Sequence, residues 1–276
     1  MIIYLVYNED YKDLLIEEGC NIILTFANLK CSDDVPKGFN HILIDSGGFQ
    51  AQTGTAGARG KKFGMRVSPE ITPQFYAGWL HFALPEHPEI DAYFNLDVLG
   101  NTDQTIKNQT YLEGRGFHPI PVWHPGEDEW VLDYYCSIYD YVAIGGLVGA
   151  AGKKLRLTSA RMRFMFERIF NKYPNTKFHA FGTGIGSSTM FRTVRPYSID
   201  FSTWLNSQRY GSYLDWDKDG LLREYDLPQD EKTAIRGNAA VRRKWARHNV
   251  QRINEFKDRL EKFTDTTQSQ MDLEVP

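Results

Sequence analysis

Short runs of apolar residues recur along the first 204 residues and alternate with segments of helical or loop character. β-Branched and aromatic residues dominate these runs, which is typical of strands buried inside a sheet. The pattern predicts eight strands, at residues 2–7, 21–27, 41–45, 92–98, 118–124, 141–146, 177–183 and 198–204. Eight strands with helical connections favour an irregular (β/α)8 TIM barrel, an α/β fold, over an open doubly wound sheet.

Three connecting segments carry a helical pattern. In residues 158–173 the apolar positions recur at spacings of three and four, which predicts one buried stripe. Its members are Met162, Met165, Phe166, Ile169 and Phe170. Residues 102–116 and 128–139 predict weaker helices. Residues 26–41 show no good helix, so the early repeats of the barrel are expected to be irregular.

After about residue 220 the pattern changes to polar helix. We therefore divide the chain into a barrel domain, residues 1–222, and a basic helical extension with a tail, residues 223–276; residues 264–276 are predicted to be disordered. The net charge is −3, yet residues 232–262 hold ten Lys and Arg against three acidic residues, a local balance of +7. The remainder carries −3 − 7 = −10. This asymmetry suggests that a polyanion is bound at one place.

Several classes of protein are disfavoured. No run approaches the roughly 20 apolar residues of a membrane span. The N-terminal apolar run lacks a preceding basic region, which indicates a strand rather than a signal peptide. The three cysteines lie far apart, which suggests a reducing cytoplasm and no disulfide framework. The seven histidines show no ligand spacing, so neither a metal nor another cofactor is expected.

Six predicted strands end in carboxylates, a histidine or glycine turns. In order these are Asp45 to Gly48, Asp97, His124, Gly145 and Gly146, Gly182 to Gly184, and Asp200. The chemistry of a barrel lies at this end of its strands, and a carboxylate there is costly to desolvate without partners or a role. Each Asp alone could be a helix cap or a rim salt bridge. Together they favour paired carboxylates acting at a glycosidic carbon.

The same strand ends resemble a known family. The segments DSGGFQ (45–50), NLDV (95–98), AIGGLVG (143–149), FGTG (181–184) and SIDFSTWLNSQRYG (198–211) occur in the order seen in tRNA-guanine transglycosylases. The resemblance covers residues 20–211. It implies an irregular (β/α)8 barrel that exchanges guanine in a polynucleotide for a 7-deazaguanine.

The resemblance also implies residue roles. Asp200 attacks C1′ of the target nucleotide to form a covalent glycosyl-enzyme, and Asp45 acts as general acid and base. Phe49 and Phe181 stack on the base, and Asp97 reads its guanine-like edge. The other implied pocket residues are Ser46, Gly47, Gly48, Gln50, His124, Gly145, Gly146 and Leu147. For His124 a purely structural role stays open.

The chain lacks the zinc-binding cysteine cluster of tRNA-acting members. In this it is similar to the DNA-modifying branch, often virus-encoded, which places bases such as 7-cyano-7-deazaguanine in DNA to evade restriction. The implied partners are DNA and the free base, in a cytoplasm that is the host's if the chain is viral. No membrane is implied, and the oligomeric state stays open.

The candidate contacts to the nucleic-acid backbone are basic residues of the loop after the first motif, of the segment after Asp200 and of the C-terminal helix. They are Arg59, Lys61, Lys62, Arg209, Arg242, Arg243, Lys244 and Arg247. A solvated loop, and an amphipathic helix packed on the barrel through Val241, Trp245 and Val250, explain the same spacing. Three other functions stay open: a tRNA-acting enzyme, a catalytically silent nucleic-acid-binding barrel and an ordinary glycoside hydrolase.

Overall fold

A computed structural model describes residues 1–29, 31–48, 71–147, 159–184 and 188–271, with the side chains of all of these except Ser159 and residues 263–271. Its main feature is an eight-stranded parallel sheet. Strands β1 to β8 are Ile2–Val6, Asn21–Thr25, Ile42–Asp45, Ile90–Tyr93, Val122–Trp123, Tyr141–Ile144, Lys177–Ala180 and Ser198–Phe201. Each overlaps one of the eight predicted strands, so that prediction is confirmed.

The strands follow one another around the sheet in the order β4-β3-β2-β1-β8-β7-β6-β5. The two outer strands approach each other at an isolated parallel bridge between Phe94 and Ile120. There the Asn95 N–H donates to the Ile120 carbonyl (2.9 Å), and the Ile120 N–H donates to the Tyr93 carbonyl (2.8 Å). The sheet is therefore curled, in agreement with a (β/α)8-like arrangement.

Helices α1 to α8 are Lys12–Glu17, Pro73–Glu86, Thr102–Glu113, Glu129–Ile138, Ser159–Lys172, Asn206–Tyr210, Gln229–Gly237 and Ala239–Met271. The three predicted helices correspond to α3, α4 and α5. On α5, Met162, Phe166 and Ile169 are buried, and the other two members of the predicted stripe pack partly buried against the same core. The predicted irregular segment after β2 holds two 3-10 turns, Phe26–Asn28 and Ser32–Asp34, in its described residues.

Helices α1, α2 and α6 were not predicted, and neither was an antiparallel hairpin, β9 (Ser212–Trp216) and β10 (Leu222–Asp226). Asp217 closes its turn, since Oδ1 accepts from the N–H groups of Asp219 (2.9 Å) and Leu221 (2.8 Å). The boundary that we expected at residue 222 falls inside this hairpin.

Helix α8 packs against β9 and the short helices after β8. Asn249, which is fully buried, connects them: its Oδ1 accepts from the Leu214 N–H (2.8 Å), and its Nδ2 donates to the Trp204 carbonyl (3.1 Å). The helix continues to Met271, so the prediction of disorder is wrong for residues 264–271. It was based on polar composition alone, which a continuing helix tolerates.

Side chains alternate between the two faces of the sheet. On β8, Ile199 and Phe201 belong to the large core under the helices, whereas Ser198 and Asp200 bond to residues inside the curl. A smaller apolar cluster fills that interior and includes Tyr4, Ile23 and Phe94. Because all eight strands are parallel, the inward residues at their carboxyl ends meet at one edge of the sheet.

Candidate functional site

Three carboxylates meet at this carboxyl edge. Asp45 ends β3, Asp97 follows β4, and Asp200 lies on β8. Asp97 and Asp200 both lie close enough to Asp45 to raise the pKa of its carboxyl group. The structure thus brings carboxylates from three strand ends near one another.

Asp45 is held in place by the backbone that follows it. Its Oδ1 accepts from the Gly47 N–H (3.1 Å), and its Oδ2 accepts from the Thr25 hydroxyl on neighbouring β2 (3.3 Å). Burial, and to a smaller extent the charges of Asp97 and Asp200, raise the pKa of Asp45 to about 7 although these two hydrogen bonds oppose the shift. A carboxyl with this pKa can both give and take a proton near neutral pH.

The glycines after Asp45 allow close backbone contacts. Gly47 has φ +78°, and a Cβ there would lie 2.7 Å from the Ala27 Cβ. A Cβ on Gly48 would lie 2.7 Å from Asp97 Oδ1, so this glycine makes room for a site carboxylate. Between Asp45 and this pair, the Ser46 hydroxyl is fully buried and has no hydrogen-bond partner among the described residues.

His124 lies behind Asp97. Its Nε2 is 2.8 Å from Asp97 Oδ2, and its Nδ1 is 3.0 Å from Glu127 Oε1. Burial lowers the pKa of His124, but the hydrogen bonds and charges of Asp97 and Glu127 outweigh it and raise the pKa to about 9. Both ring nitrogens are bonded and only 3% of the residue is exposed. The imidazolium therefore holds the Asp97 carboxylate in place.

The turn after β6 packs on His124. A Cβ on Gly145 would lie 3.0 Å from the ring of His124, and one on Gly146 (φ +67°) would lie 3.2 Å from it. Leu147 is buried beside them. The predicted glycine turn thus contacts His124, which in turn contacts Asp97.

Asp200 bonds to the end of β7. Its Oδ1 accepts from the Gly182 N–H (3.0 Å) and lies 3.8 Å from His179 Nε2. Its side chain is 15% exposed. Next to it, the ring of Phe181 makes edge contacts with Phe94 and His179, with both centroid distances 4.5 Å. An aromatic ring and a carboxylate thus adjoin where β7 and β8 end.

Sequence reasoning missed His179 and Glu127. His179 is an inward residue of β7 two positions before Phe181, and strict strand alternation from Phe181 would have identified it. Glu127 follows His124 by three residues across a Pro-Gly turn, a spacing that allows the two side chains to meet.

The predicted cations of α8 all have partners inside the protein. Arg243 pairs with Glu17 (3.6 Å), and Arg247 pairs with Glu17 and Glu18 of the α1 end. Lys244 pairs with Glu231 (2.9 Å). Arg242 donates to the Ile235 carbonyl (3.1 Å). These contacts fasten α8 to α1 and α7.

The remaining predicted residues are differently placed. Arg209 lies exposed in the last turn of α6. Phe49, Gln50, Arg59, Lys61 and Lys62 lie outside the described residues. Their roles stay predictions.

Within the described ranges, no group of three or more His, Cys, Asp or Glu side chains has an arrangement suited to a metal ion. Over the same ranges, no helix combines the length and apolarity that crossing a membrane requires. A scan against protein-family models and a search of curated proteins find no match to this chain.

Proposed function

We propose that this chain is a guanine transglycosylase that acts on DNA and replaces guanine with a 7-deazaguanine on an irregular (β/α)8 barrel. The observation that carries the proposal is the meeting of Asp45, Asp97 and Asp200 at one carboxyl edge, with Asp45 poised to titrate near pH 7. Base exchange at C1′ requires a nucleophile, a group that moves a proton and a group that reads the base. The three carboxylates can divide these tasks.

In the first half-reaction Asp200 attacks C1′ of the target nucleotide. The bond from C1′ to N9 breaks, and its electron pair leaves with guanine. Asp45, in its protonated form, gives a proton to the departing base. The product is an ester between Asp200 and the sugar, which keeps the DNA backbone intact.

The second half-reaction reverses these roles. The incoming 7-deazaguanine loses its N9 proton to the Asp45 carboxylate and forms a bond to C1′. The ester bond breaks, and the Asp200 carboxylate is released. A pKa near 7 suits Asp45 to both steps, because its two protonation states are then similarly populated at neutral pH.

Base recognition falls to Asp97. Its Oδ2 is engaged by His124 (2.8 Å), which leaves Oδ1 for the N1–H and 2-amino donors of a guanine-like edge. The Phe181 ring, next to Asp200, offers an apolar face for the ring system. Stacking on such a face offsets part of the cost of taking a base out of the helix.

One sequence feature favours DNA over tRNA as the polymer. The chain has three widely spaced cysteines and therefore no cysteine cluster for a zinc module. A 7-deazaguanine in the DNA would protect that DNA from restriction enzymes. The transglycosylase would then work in the cytoplasm, which is the host's if the chain is viral.

The test offers labelled 7-cyano-7-deazaguanine with duplex DNA, single-stranded DNA or tRNA. We expect label in DNA and a denaturation-resistant adduct between protein and DNA. D200A should abolish both, whereas D230A, at an exposed position on α7, should leave them unchanged. Label in tRNA alone would assign the tRNA-acting function instead. Exchange that persists in D200A would contradict the nucleophile assignment.

A further inference from the structure

A buried chain of polar groups lies behind Asp200. His179 Nδ1 is 2.6 Å from the Ser198 hydroxyl, and that hydroxyl is 2.5 Å from the Tyr141 hydroxyl. His179 and Ser198 are fully buried. The rings of Phe94 and Phe181 enclose the imidazole. Polar groups in such surroundings are costly unless their hydrogen bonds are satisfied.

The His179 end of this series of hydrogen-bonded groups points toward Asp200. His179 Nε2 is buried without a hydrogen-bond partner among the described residues, and the nearest acidic atom is Asp200 Oδ1 at 3.8 Å. Closing this gap to a hydrogen bond requires a shift of about 0.8 Å. A side chain that is 15% exposed can make such a shift when a substrate seats on it.

The proton positions follow from the available acceptors. Either oxygen of the Tyr141–Ser198 pair could be the donor; when Tyr141 donates, the Ser198 hydroxyl proton is available to His179 Nδ1. Ser198 then donates to His179 Nδ1, and the imidazole proton lies on Nε2, directed at Asp200. In the opposite arrangement an Nε2 lone pair would face a carboxylate oxygen. Burial lowers the pKa of His179, which agrees with a neutral ring.

We propose that His179 is a positioning residue whose Nε2–H, fixed by Ser198 and Tyr141, binds Oδ1 of Asp200 and leaves Oδ2 as the atom that attacks C1′. The Gly182 N–H binds the same Oδ1 (3.0 Å), and no described residue hydrogen-bonds to Oδ2. This inference rests on the proposed function for its kinetic consequence. The tautomer that it assigns can be measured independently of any reaction.

The consequence concerns the second half-reaction. A carboxylate accepts a stronger hydrogen bond than an ester carbonyl does, because it is charged. The Nε2–H therefore favours the release of Asp200 from the ester when the incoming base attacks. Removal of this donor should slow base capture and increase the fraction of enzyme trapped as the covalent adduct.

Two substitutions of His179 separate its two nitrogens. In H179Q the amide N–H can replace Nε2–H, whereas in H179N the shorter side chain can reach Ser198 but not Asp200. We expect H179Q to capture base at close to the wild-type rate. We expect H179N to do so about tenfold more slowly, the effect of one charge-assisted hydrogen bond, with more trapped adduct. Equal behaviour of the two variants would overturn the proposal.

The structural readout is the ¹⁵N NMR spectrum of the unliganded protein, with the His179 signal assigned by its loss in H179Q. We expect the neutral Nε2–H tautomer in wild type and a mixture of tautomers in S198A. An Nδ1–H tautomer in wild type would overturn the inference even if D200A is inactive. Exchange by D200A would overturn the proposed function and leave the tautomer result standing.

Discussion

Gly48 lies directly against Asp97: a Cβ atom on this glycine would be 2.3 Å from the Asp97 carbonyl oxygen. Real Cβ atoms do not approach a backbone oxygen so closely. The turn after β3 and the loop after β4 therefore meet only because residue 48 has no side chain. Asp45 and Asp97 lie on these two segments, so Gly48 sets how the proton-transfer carboxyl and the base-reading carboxylate are placed.

The substitution G48A should therefore lower the stability of the fold and also disturb the candidate site. The added methyl group must push the Asp97 backbone away, at a cost of about 1–3 kcal/mol in the free energy of unfolding. Base exchange should fall more than tenfold, since Asp97 moves with its loop. Gly78 provides the control: it is exposed on α2 with nothing within 4 Å of a Cβ, and G78A should stabilise by roughly 0.5–1 kcal/mol. Urea unfolding measures the stability of both variants. Equal changes in the free energy of unfolding for G48A and G78A would contradict the packing role of Gly48.

The ion pairs of His124 predict a pH-dependent stability. The pKa of His124 is raised from an ordinary 6.5 to about 9. Its contribution is therefore fully present below pH 6.5 and is lost as the pH rises through 9. H124F should cost about 3 kcal/mol at pH 6, because two carboxylates lose their buried partner. The difference from wild type should shrink by pH 10.

Urea titrations of both proteins from pH 6 to pH 10 give this difference directly. The exposed pair of His41 and Asp91 (3.0 Å) provides a comparison, since H41Q should change stability by about 1 kcal/mol or less. A loss in H124F that stays constant from pH 6 to pH 10 would show that packing, and not charge, is what His124 supplies.

The strands of the sheet were predictable because they are short runs rich in apolar residues; β1 and β3, for example, place apolar residues on both faces. Helix α2 was missed because its apolar residues lie on all sides: Tyr76 and Leu80 are buried, while Phe82 is 64% exposed. Helix α2 therefore has no single apolar stripe from which it could have been predicted. The hairpin of β9 and β10 was missed because charged residues interrupt it; its buried positions are set by contact with α8, which no local pattern records.

Part of the site could also be predicted from the sequence. Asp45, Asp97 and Asp200 stand at strand ends, where parallel topology alone brings residues together. His179 lies one inward position below its strand end, and its partner Ser198 belongs to the next strand. Their contact depends on the register between β7 and β8. The role of His124 likewise depends on Asp97 being next to it, which only the curl of the sheet decides.

The raised pKa of Asp45 also predicts a loss of stability with rising pH, in a lower pH range than that of His124. Burial shifts this pKa from 3.8 to about 7, so the folded protein holds a proton that the unfolded chain releases. Wild type therefore loses stability relative to D45N as the pH rises from about 4 to 7, by a few kcal/mol. At pH 8 D45N should be the more stable protein although it is inactive in exchange. Unfolding at pH 4 and pH 8, with D230N as the exposed control, measures this change; an unchanged difference would place Asp45 in a solvated environment.

Helix α8 allows a prediction that separates fold from nucleic-acid binding. Arg243 and Arg247 both pair with Glu17, and Arg247 also pairs with Glu18. These pairs hold α8 against the end of α1, and both arginine side chains are 39% exposed. The double variant R243A/R247A should therefore lower the free energy of unfolding only slightly, as is usual for solvent-screened pairs.

The same variant tests whether these arginines also bind phosphates. Each phosphate contact contributes nearly one to the slope of log affinity against log salt. Because the two side chains already bind carboxylates, we expect the slope for duplex DNA to change by less than about one. E17Q, which removes the shared partner and keeps both arginines, is the matched control: it should lose similar stability without weakening DNA binding. A slope that falls by about two in R243A/R247A, and not in E17Q, would instead assign both arginines to the DNA backbone and make Glu17 the group that phosphate displaces.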